Sequence, residues 1–212
     1  MRIFLRLPLF RAAVCFLLIM LPFPAAGLEE QPIETLRTGI EAGLQILRDP
    51  IFDDNEMKKV QQRKLWEIIE QMFDFQIFSK LVLSSRWEEF NPEQQEAFIH
   101  AFGQFLGKFY LGKLQEKYAG ETVKYVKQQV KSETLAVVHI EILWKGREVP
   151  VEVRMLKRKN SWKAYDLQAL GISAVANYRV QLGSILRKET PEQVVERLKN
   201  KIDQIEKQEQ TG

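Results

Sequence analysis

Residues 161–182 read SWKAYDLQALGISAVANYRVQL, and this stretch decides how the chain folds. Its first part alternates as a strand does, with Trp162 and Ala164 on one side. After Gly171, apolar residues recur at steps of three and four, the period of a helix with one buried side: Ile172, Val175, Tyr178, Leu182 and Ile185. A strand therefore runs into a helix across a glycine, which readily takes a positive φ. We interpret this joint as fixing the helix against a sheet and leaving a hollow between them.

The first 27 residues predict a secretory signal peptide. Three arginines accompany a short apolar run over residues 14–21, and the small residues Ala25, Ala26 and Gly27 follow it. The run is shorter than the roughly 20 apolar residues that span a bilayer. We therefore expect an exported chain that is cleaved near Gly27, with an N-terminal membrane anchor as the alternative.

The composition limits the classes of function. Of the 31 basic side chains in the sequence, three lie in the predicted signal peptide, and the remainder equals the 28 acidic ones. A neutral mature chain removes the main argument for a nucleic-acid partner. The one cysteine, Cys15, also lies in the predicted signal peptide, so the mature chain has neither a disulfide nor a catalytic thiol.

The rest of the pattern predicts one domain over residues 28–212. Helical periods cover residues 31–118, strand periods cover 121–168, and C-terminal helices cover 172–206. Asn91-Pro92-Glu93 is a strong helix start, and short turns such as Lys145-Gly146-Arg147 join consecutive strands. The predicted fold class is α+β, with a curved, antiparallel, four-stranded sheet packed by several helices.

Catalytic residue sets are missing from the sequence. His100 and His139 have no metal-ligand partner at helical or strand spacing, so no metal site is expected. There is neither a nucleophile-elbow serine nor a glycine-rich phosphate loop. Asp166 is a candidate acid of the glycosidase type, but that chemistry needs a second carboxylate across a cleft. An enzyme using Asp166 and a small interaction module with a filled core both remain as alternatives.

Three stretches, in this order along the chain, carry a resemblance to a known family: FDFQIFSKLVLSSRW (Phe73–Trp87), NPEQQEAFIHAFGQFLGKFY (Asn91–Tyr110) and WKAYDLQALGISAVANYRVQL (Trp162–Leu182). Together they resemble the periplasmic phospholipid-binding family of the Mla lipid-transport system, MlaC, also called the toluene-tolerance family. The sequence departs from the family pattern at Ser84, Leu170 and Leu182, where glycine, an acid and phenylalanine are usual. A hopanoid-linked branch shares the pattern, so a hopanoid or another apolar lipid is the alternative cargo.

The resemblance implies a carrier and no enzyme. Similar proteins wrap helices around a curved sheet, in a fold related to the nuclear-transport-factor-like cone, and hold the acyl chains of a phospholipid in an apolar cavity. They work in the periplasm, between an outer-membrane lipoprotein complex and an inner-membrane ABC transporter complex, and contribute to outer-membrane lipid asymmetry. By this resemblance we expect phospholipid as cargo, no cofactor, and by default a monomer.

The predicted lipid-binding wall consists of apolar residues on the phenylalanine-rich helix that starts at Asn91, on two facing strands and on the helix after Gly171: Phe102, Phe105, Leu106, Phe109, Val138, Ile140, Ile142, Val149, Val151, Val153, Val175 and Leu182. These rows could enclose acyl chains, because apolar chains need only a dry wall. The alternative is that they fill the space among themselves, as in most protein interiors. Arg86, Lys163 and Arg179 are the candidates for a headgroup rim, with solvated surface or a structural tie as the alternatives.

Overall fold

The structure, a computed structural model, describes residues 31–211, and the predicted signal peptide lies outside them. Helices come first, then a sheet, then helices again, which confirms the α+β class. The elements of this part of the chain are α1 (Pro32–Arg48), α2 (Lys58–Met72), α3 (Phe75–Leu83), α4 (Pro92–Lys117), β1 (Thr122–Ser132), β2 (Leu135–Trp144), β3 (Arg147–Arg158), β4 (Ser161–Ala169), β5 (Ile172–Ser173), α5 (Ala174–Ile185) and α6 (Pro191–Thr211).

The sheet is antiparallel and has the order β1-β2-β3-β4-β5. The prediction of four strands is therefore wrong by one. Leu170 and Gly171 both have positive φ values, 50° and 80°, and this tight turn brings β5 back against residues 168–169. A strand of two residues has no period that a sequence pattern could reveal.

The sheet is bent by irregular pairing. Two register shifts lie between β1 and β2, and one lies between β3 and β4. Each extra residue in one strand kinks it and increases the local twist. α1 packs across the bent sheet and contacts β1, β2 and β4.

The corner between α2 and α3 is tied to the sheet by Asp74. Its amide donates to the carbonyl oxygen of Ala164 at 2.7 Å. Its carboxylate accepts from the Ile77 amide and from Arg158 Nε, both at 2.8 Å. Because Asp74 is buried, these bonds fix the last turn of α2 in relation to β4.

α4 begins where the sequence predicts. The side chain of Asn91 accepts from the Gln94 amide at 2.9 Å, and the Gln94 side chain accepts from the Asn91 amide at 2.8 Å. This reciprocal pair is a capping box, which satisfies two amides that the first helical turn leaves free. α4 runs for 26 residues and reaches two different parts of the molecule.

Two clusters of buried side chains fill most of the interior. The first, here called the aromatic core, lies between α3, α4, α5 and α6 and consists of Phe78, Val82, Leu83, Trp87, Phe90, Phe98, Ala101, Phe102, Val175, Leu182, Leu186, Val194, Val195 and Leu198. The second, here called the sheet core, lies between α1 and the sheet and consists of Leu36, Ala136, Val138, Ile140, Val151, Val153, Met155, Trp162 and Ala164.

Candidate functional site

A cavity of about 690 Å³ lies between α1, α2, the C-terminal half of α4 and one end of the sheet. Apart from Lys113, Lys117 and Glu121, its lining consists of glycine, aliphatic, thioether and aromatic side chains. The lining residues are Gly39, Ile40, Gly43, Leu44, Leu47, Leu65, Ile68, Ile69, Met72, Tyr110, Leu111, Lys113, Leu114, Lys117, Tyr118, Glu121, Val123, Ile142, Trp144, Val149, Val151 and Ala169.

The exposure of the lining residues shows which end of the cavity is open. Tyr110, Leu114 and Trp144 are 50%, 41% and 45% exposed, so they mark a mouth. Leu44 and Leu65 are buried behind them. The cavity is thus an apolar pocket that opens to solvent at these residues, an arrangement that suits a ligand with an apolar body and a polar tip.

Polar groups gather at this mouth. Arg48, at the end of α1, donates to the hydroxyl of Tyr118 at 3.0 Å and to the carbonyl oxygen of Glu121 at 3.4 Å, which joins α1 to the α4–β1 turn. Lys113 lies with its Nζ 3.8 Å from the centre of the Phe109 ring. Neither Lys113 nor Lys117 forms an ion pair with a carboxylate among residues 31–211. The mouth therefore carries two cations that remain available to an anionic group.

Three of the predicted wall residues line this cavity, namely Ile142, Val149 and Val151. The other residues of the same two strand faces, Val138, Ile140 and Val153, lie in the sheet core, where Leu36 of α1 packs with them. The alternation of a strand shows which face is apolar but not where along that face the space is filled.

The predicted wall residues on the helices lie outside this cavity lining. Phe102, Val175 and Leu182 belong to the aromatic core, and Phe105 and Leu106 pack against it. The ring of Phe109 stacks on Phe105, with a centroid distance of 5.8 Å. A lipid contact for any of these residues stays a prediction, and the structure gives each of them protein neighbours instead.

The part of the cavity wall that α1 and α2 supply was not predicted from the sequence. Ile40, Leu44 and Leu47 on α1 line the cavity together with Ile68 and Ile69 on α2. Their spacing looks like an ordinary core stripe, because a helix buried against a ligand has the same period as one buried against protein. The available signal was the pair Gly39 and Gly43, four residues apart on the same face, since a glycine pair removes two side chains from the packing.

The three predicted rim cations all have partners elsewhere. Arg86 forms an ion pair with Glu89 at 2.8 Å. Lys163 donates to the carbonyl oxygen of Glu70 at 3.5 Å. Arg179 donates to the carbonyl oxygen of Leu81 from two nitrogens, at 3.0 and 2.7 Å, and so ties α5 to α3. None of the three lines the cavity.

Asp166, the candidate catalytic acid, holds the start of α5. Its carboxylate accepts from Ser173 Oγ at 2.8 Å and from the Val175 amide at 3.0 Å, and Arg154 Nη1 lies 3.4 Å away. Only 1% of Asp166 is exposed. The oxygens are occupied by fixing α5 to β4, so a structural role accounts for this buried carboxylate.

A pair of tyrosines connects the cavity with the aromatic core. The hydroxyl groups of Tyr110, at the mouth, and Tyr178, on α5, are 2.9 Å apart. Burial raises the pKa of Tyr178 above its ordinary value, and the hydrogen bond with Tyr110 raises it further. Tyr178 therefore stays neutral throughout the physiological pH range and holds α5 beside the mouth.

A second hollow, of about 420 Å³, lies on the other side of Leu111, between α2, α4 and α6. Lys59, Arg63 and Lys108 surround it, and Lys108 forms an ion pair with Glu206 at 3.1 Å. Its charged lining differs from the apolar wall of the larger cavity, so an acyl chain fits the larger cavity better.

Neither a metal centre nor a membrane-spanning element is found in the part of the chain that the structure describes. No group of three or more histidine, cysteine, aspartate or glutamate side chains between residues 31 and 211 is arranged to hold a metal ion. Over the same residues, no helix is both long enough and apolar enough to cross a bilayer.

Comparison with known proteins identifies the family. The model of the family described as MlaC protein matches residues 38–200. The chain belongs to the MlaC family. This match confirms the resemblance that the three sequence stretches carry. It begins in α1, next to Gly39, and ends in α6.

A solved structure shares the fold of this MlaC-family chain. It is the phospholipid-binding protein from Ralstonia solanacearum in complex with a phospholipid, 22% identical to this chain, with a TM-score of 0.70. The match covers 83% of this chain and 99% of that one. At this identity the likeness shows that the two chains have a common architecture.

Proposed function

We propose that this protein is a phospholipid carrier which holds acyl chains in the cavity between α1, α2, α4 and the sheet. The observation that carries the proposal is a cavity of about 690 Å³ with a wall that is apolar apart from its mouth. Membership of the MlaC family supports it, as does the phospholipid held by the R. solanacearum protein of the same fold. The structural use of Asp166 argues against the enzyme alternative.

The volume of the cavity indicates how much lipid it takes. A protein cavity of about 150 Å³ holds benzene, which corresponds to roughly 25 Å³ per carbon atom. By that measure a cavity of about 690 Å³ holds on the order of 28 carbon atoms. Two chains of about 16 carbons slightly exceed this number, whereas the four chains of two lipids exceed it more than twofold. We therefore propose one phospholipid per chain.

Energetics explain why such a protein carries lipid without consuming energy itself. Two chains of about 16 carbons gain on the order of 25 kcal/mol when they leave water for an apolar site, at about 0.8 kcal/mol per methylene. The bilayer offers the lipid a similar gain, so exchange between bilayer and cavity is close to balance. The cavity removes the barrier of crossing water, and the direction is set by the partners.

For the headgroup we propose a place at the mouth beside Lys113 and Lys117. Both cations lie at the wet end of the cavity and lack carboxylate partners among the described residues. A lysine binds phosphate as a mobile point charge and does not need a fixed geometry. This arrangement would leave the variable part of the headgroup in water, so the preference among headgroups should be weak.

The route proposed for the carrier follows the family. We propose that the signal peptide directs the chain to the periplasm, where it shuttles phospholipid between an outer-membrane lipoprotein complex and an inner-membrane ABC transporter complex. This transport would contribute to outer-membrane lipid asymmetry. The carrier itself would act as a monomer, without a cofactor and without a nucleic-acid partner.

Binding is tested with vesicles of phosphatidylethanolamine and phosphatidylglycerol, followed by re-isolation of the protein and measurement of lipid phosphorus. The wild type is expected to carry about one lipid phosphate per chain, by the volume argument. In Gly43→Leu the added Cβ fits, 3.9 Å from Leu65, but the rest of the side chain enters the cavity and should lower bound lipid several-fold.

Gly183→Leu is the matched control for this test. It makes the same change on a helix, at a position where a Cβ meets nothing within 4 Å and which does not line the cavity. It should therefore bind lipid as the wild type does. Wild-type protein that stays empty, or Gly43→Leu protein that fills equally well, would contradict the proposal. A hopanoid in the extract would show that the protein belongs to the hopanoid-linked branch of the family.

The headgroup site is tested by comparing two double variants. Lys113→Gln with Lys117→Gln should weaken the binding of phosphatidylglycerol two- to fivefold, the range expected when exposed charge pairs are lost. Arg86→Gln with Lys163→Gln removes two cations of the rim predicted from the sequence, and should leave binding unchanged. The opposite result would move the headgroup to the α3 side of the molecule.

A further inference from the structure

Met72 lies where the cavity meets the sheet core. This residue is the last of α2, and its side chain both lines the cavity and packs against the sheet core. The chain immediately after it is held firmly, because Phe73 forms a bridge with Ala164 and the Asp74 amide donates to the carbonyl oxygen of Ala164. Met72 thus stands between the open cavity and the filled space beyond it.

A glycine on α1 makes room for the Met72 side chain. A Cβ at Gly39 would lie 2.6 Å from Met72 Cγ and 2.7 Å from Met72 Cε, and closer still to Met72 Sδ. Any side chain at position 39 would therefore have to displace the thioether. Gly43, one turn further along α1, differs, because a Cβ there meets only Leu65, at an ordinary 3.9 Å.

The length of the cavity wall that α1 provides, from Gly39 to the mouth, follows from helix geometry. Gly39 and Leu47 both line the cavity, and the eight steps along the helix from one to the other span about 12 Å at 1.5 Å per residue. The inner limit of this wall is the contact between Met72 and Gly39. The position of one flexible side chain therefore decides how far an apolar chain can enter.

We propose that Met72, seated against Gly39, limits the length of acyl chain that the cavity accepts. This inference rests on the proposed function of the cavity and adds a specificity-determining residue to it. Met72 is a suitable stop, because an unbranched thioether fills irregular space and its removal leaves a tunnel rather than a new surface. The three side-chain atoms beyond Cβ correspond to about two or three carbons of chain length.

The selectivity follows from a comparison with the bilayer. While a chain fits inside the cavity, each further methylene gains as much there as in the bilayer, and length does not matter. Once the cavity is full, each further methylene either stays in water or forces the acyl chain into a strained conformation. This lowers binding to the cavity, relative to the bilayer, about fourfold per methylene. The preference for length should therefore be flat and then fall sharply at the limit that Met72 sets.

Four variants test this assignment. Met72→Ala deepens the cavity, and Gly39→Ala pushes the thioether into it. In the double variant Gly39→Ala with Met72→Ala, the new methyl group takes the place that the thioether leaves. Gly183→Ala is the control, because it makes the same glycine-to-alanine change on a helix, at a position where a Cβ meets nothing within 4 Å and which does not line the cavity.

The probe is a vesicle that contains phosphatidylglycerols which differ only in acyl length, from myristoyl to stearoyl. The lipids bound by each variant are extracted and measured by mass spectrometry. We expect Met72→Ala to raise the bound ratio of stearoyl to myristoyl lipid about sixteenfold, by the fourfold factor for each of about two methylenes. Gly39→Ala should lower the ratio, the double variant should restore it, and Gly183→Ala should leave it unchanged.

Folded, lipid-loaded Met72→Ala protein with the wild-type length preference would overturn the assignment. Should Met72→Ala not fold, Met72→Leu serves instead, since the exchange of these two residues is tolerated in cores and shortens the side chain by one atom. Failure of the proposed function itself would look different, because then neither the wild type nor any variant would bind lipid of any length.

Discussion

The two halves of α4 differ although their sequences are equally apolar. In the N-terminal half, Phe98 and Phe102 are 0% and 1% exposed, and their ring centroids lie 5.2 Å apart. In the C-terminal half, Tyr110 and Leu114 face a cavity. The difference comes from the elements opposite. α3 and α5 offer Phe78 and Tyr178 to the first half, with centroid distances of 5.6 and 5.2 Å to Phe102.

Opposite the second half of α4, α1 contributes two glycines to the lining of the same cavity. Gly39 is covered by Met72, but nothing except Leu65 comes within 4 Å of a Cβ at Gly43. An interior usually has the packing density of an organic crystal. Here a helix that lacks side chains at the facing positions leaves the space open, so the void results from specific residues and not from loose packing overall.

The largest expected effect comes from truncating one side chain in each half of α4. Phe102→Ala should lower the free energy of unfolding by about 3–5 kcal/mol, since it leaves a hole in a filled core. Leu114→Ala, on the cavity side, should lower it by less than about 1 kcal/mol, because few protein contacts are lost. Chemical denaturation of both variants measures the difference, and equal losses would contradict the contrast between the two halves.

Asp166→Asn tests how α5 is held over the aromatic core. The variant weakens the hydrogen bonds to Ser173 and Val175 and the contact with Arg154, and should lower the free energy of unfolding by about 1.5–3 kcal/mol, the range for hydrogen bonds to a charged group. The lipid content of the folded protein should stay unchanged. If the variant instead kept the stability of the wild type but lost lipid binding or a catalytic activity, Asp166 would have a functional role.

Adding a leucine side chain should change the free energy of unfolding in opposite directions in the two regions. Gly103→Leu places a side chain against Phe75, whose ring atoms begin 3.5 Å from the new Cβ, and should destabilise by about 1–3 kcal/mol through overpacking. Gly43→Leu should be neutral or stabilise by up to about 1 kcal/mol, because a helical glycine is replaced and the space is open. Thermal unfolding of the lipid-free variants compares them, and a large loss in Gly43→Leu would show that the cavity is not open.

The smallest effect concerns pH. The pKa of Tyr178 is raised in the folded protein by burial and by Tyr110, so its contribution to stability is complete below the unfolded value of about 10. Above that pH the unfolded chain loses the proton while the folded chain keeps it, and stability falls as the pH rises. Tyr178→Phe should make the decline between neutral and alkaline pH shallower than in the wild type. An unchanged slope would mean that the pKa of Tyr178 is not raised in the folded protein, against its burial and its contact with Tyr110.

Local signals in the sequence suffice for most elements and for the family. The capping residues Asn91 and Gln94 locate the start of α4, and the short turn at Gly146 locates a hairpin. The fifth strand cannot be predicted in this way, because the two residues after the Leu170–Gly171 turn are too few to show an alternating pattern. The sequence motifs indicate MlaC through residues that hold the fold, such as Asp166 and Arg179.

The position of the cavity is harder to infer from sequence. A sequence pattern marks a buried face, but whether that face meets protein or ligand depends on the opposite element. Val138 and Ile142 lie on the same face of β2, yet one packs under α1 and the other lines the cavity. The cations Arg86 and Arg179 likewise look available until Glu89 and the Leu81 carbonyl are found beside them.

Native mass spectrometry of the protein, purified without detergent, asks whether the cavity holds a phospholipid. We predict one adduct with the mass of a diacyl phospholipid, identified after denaturing extraction, and its loss in Gly43→Leu. A bare protein that stays bare after incubation with vesicles would contradict this prediction, because the space between α1 and α4 would then be no lipid site.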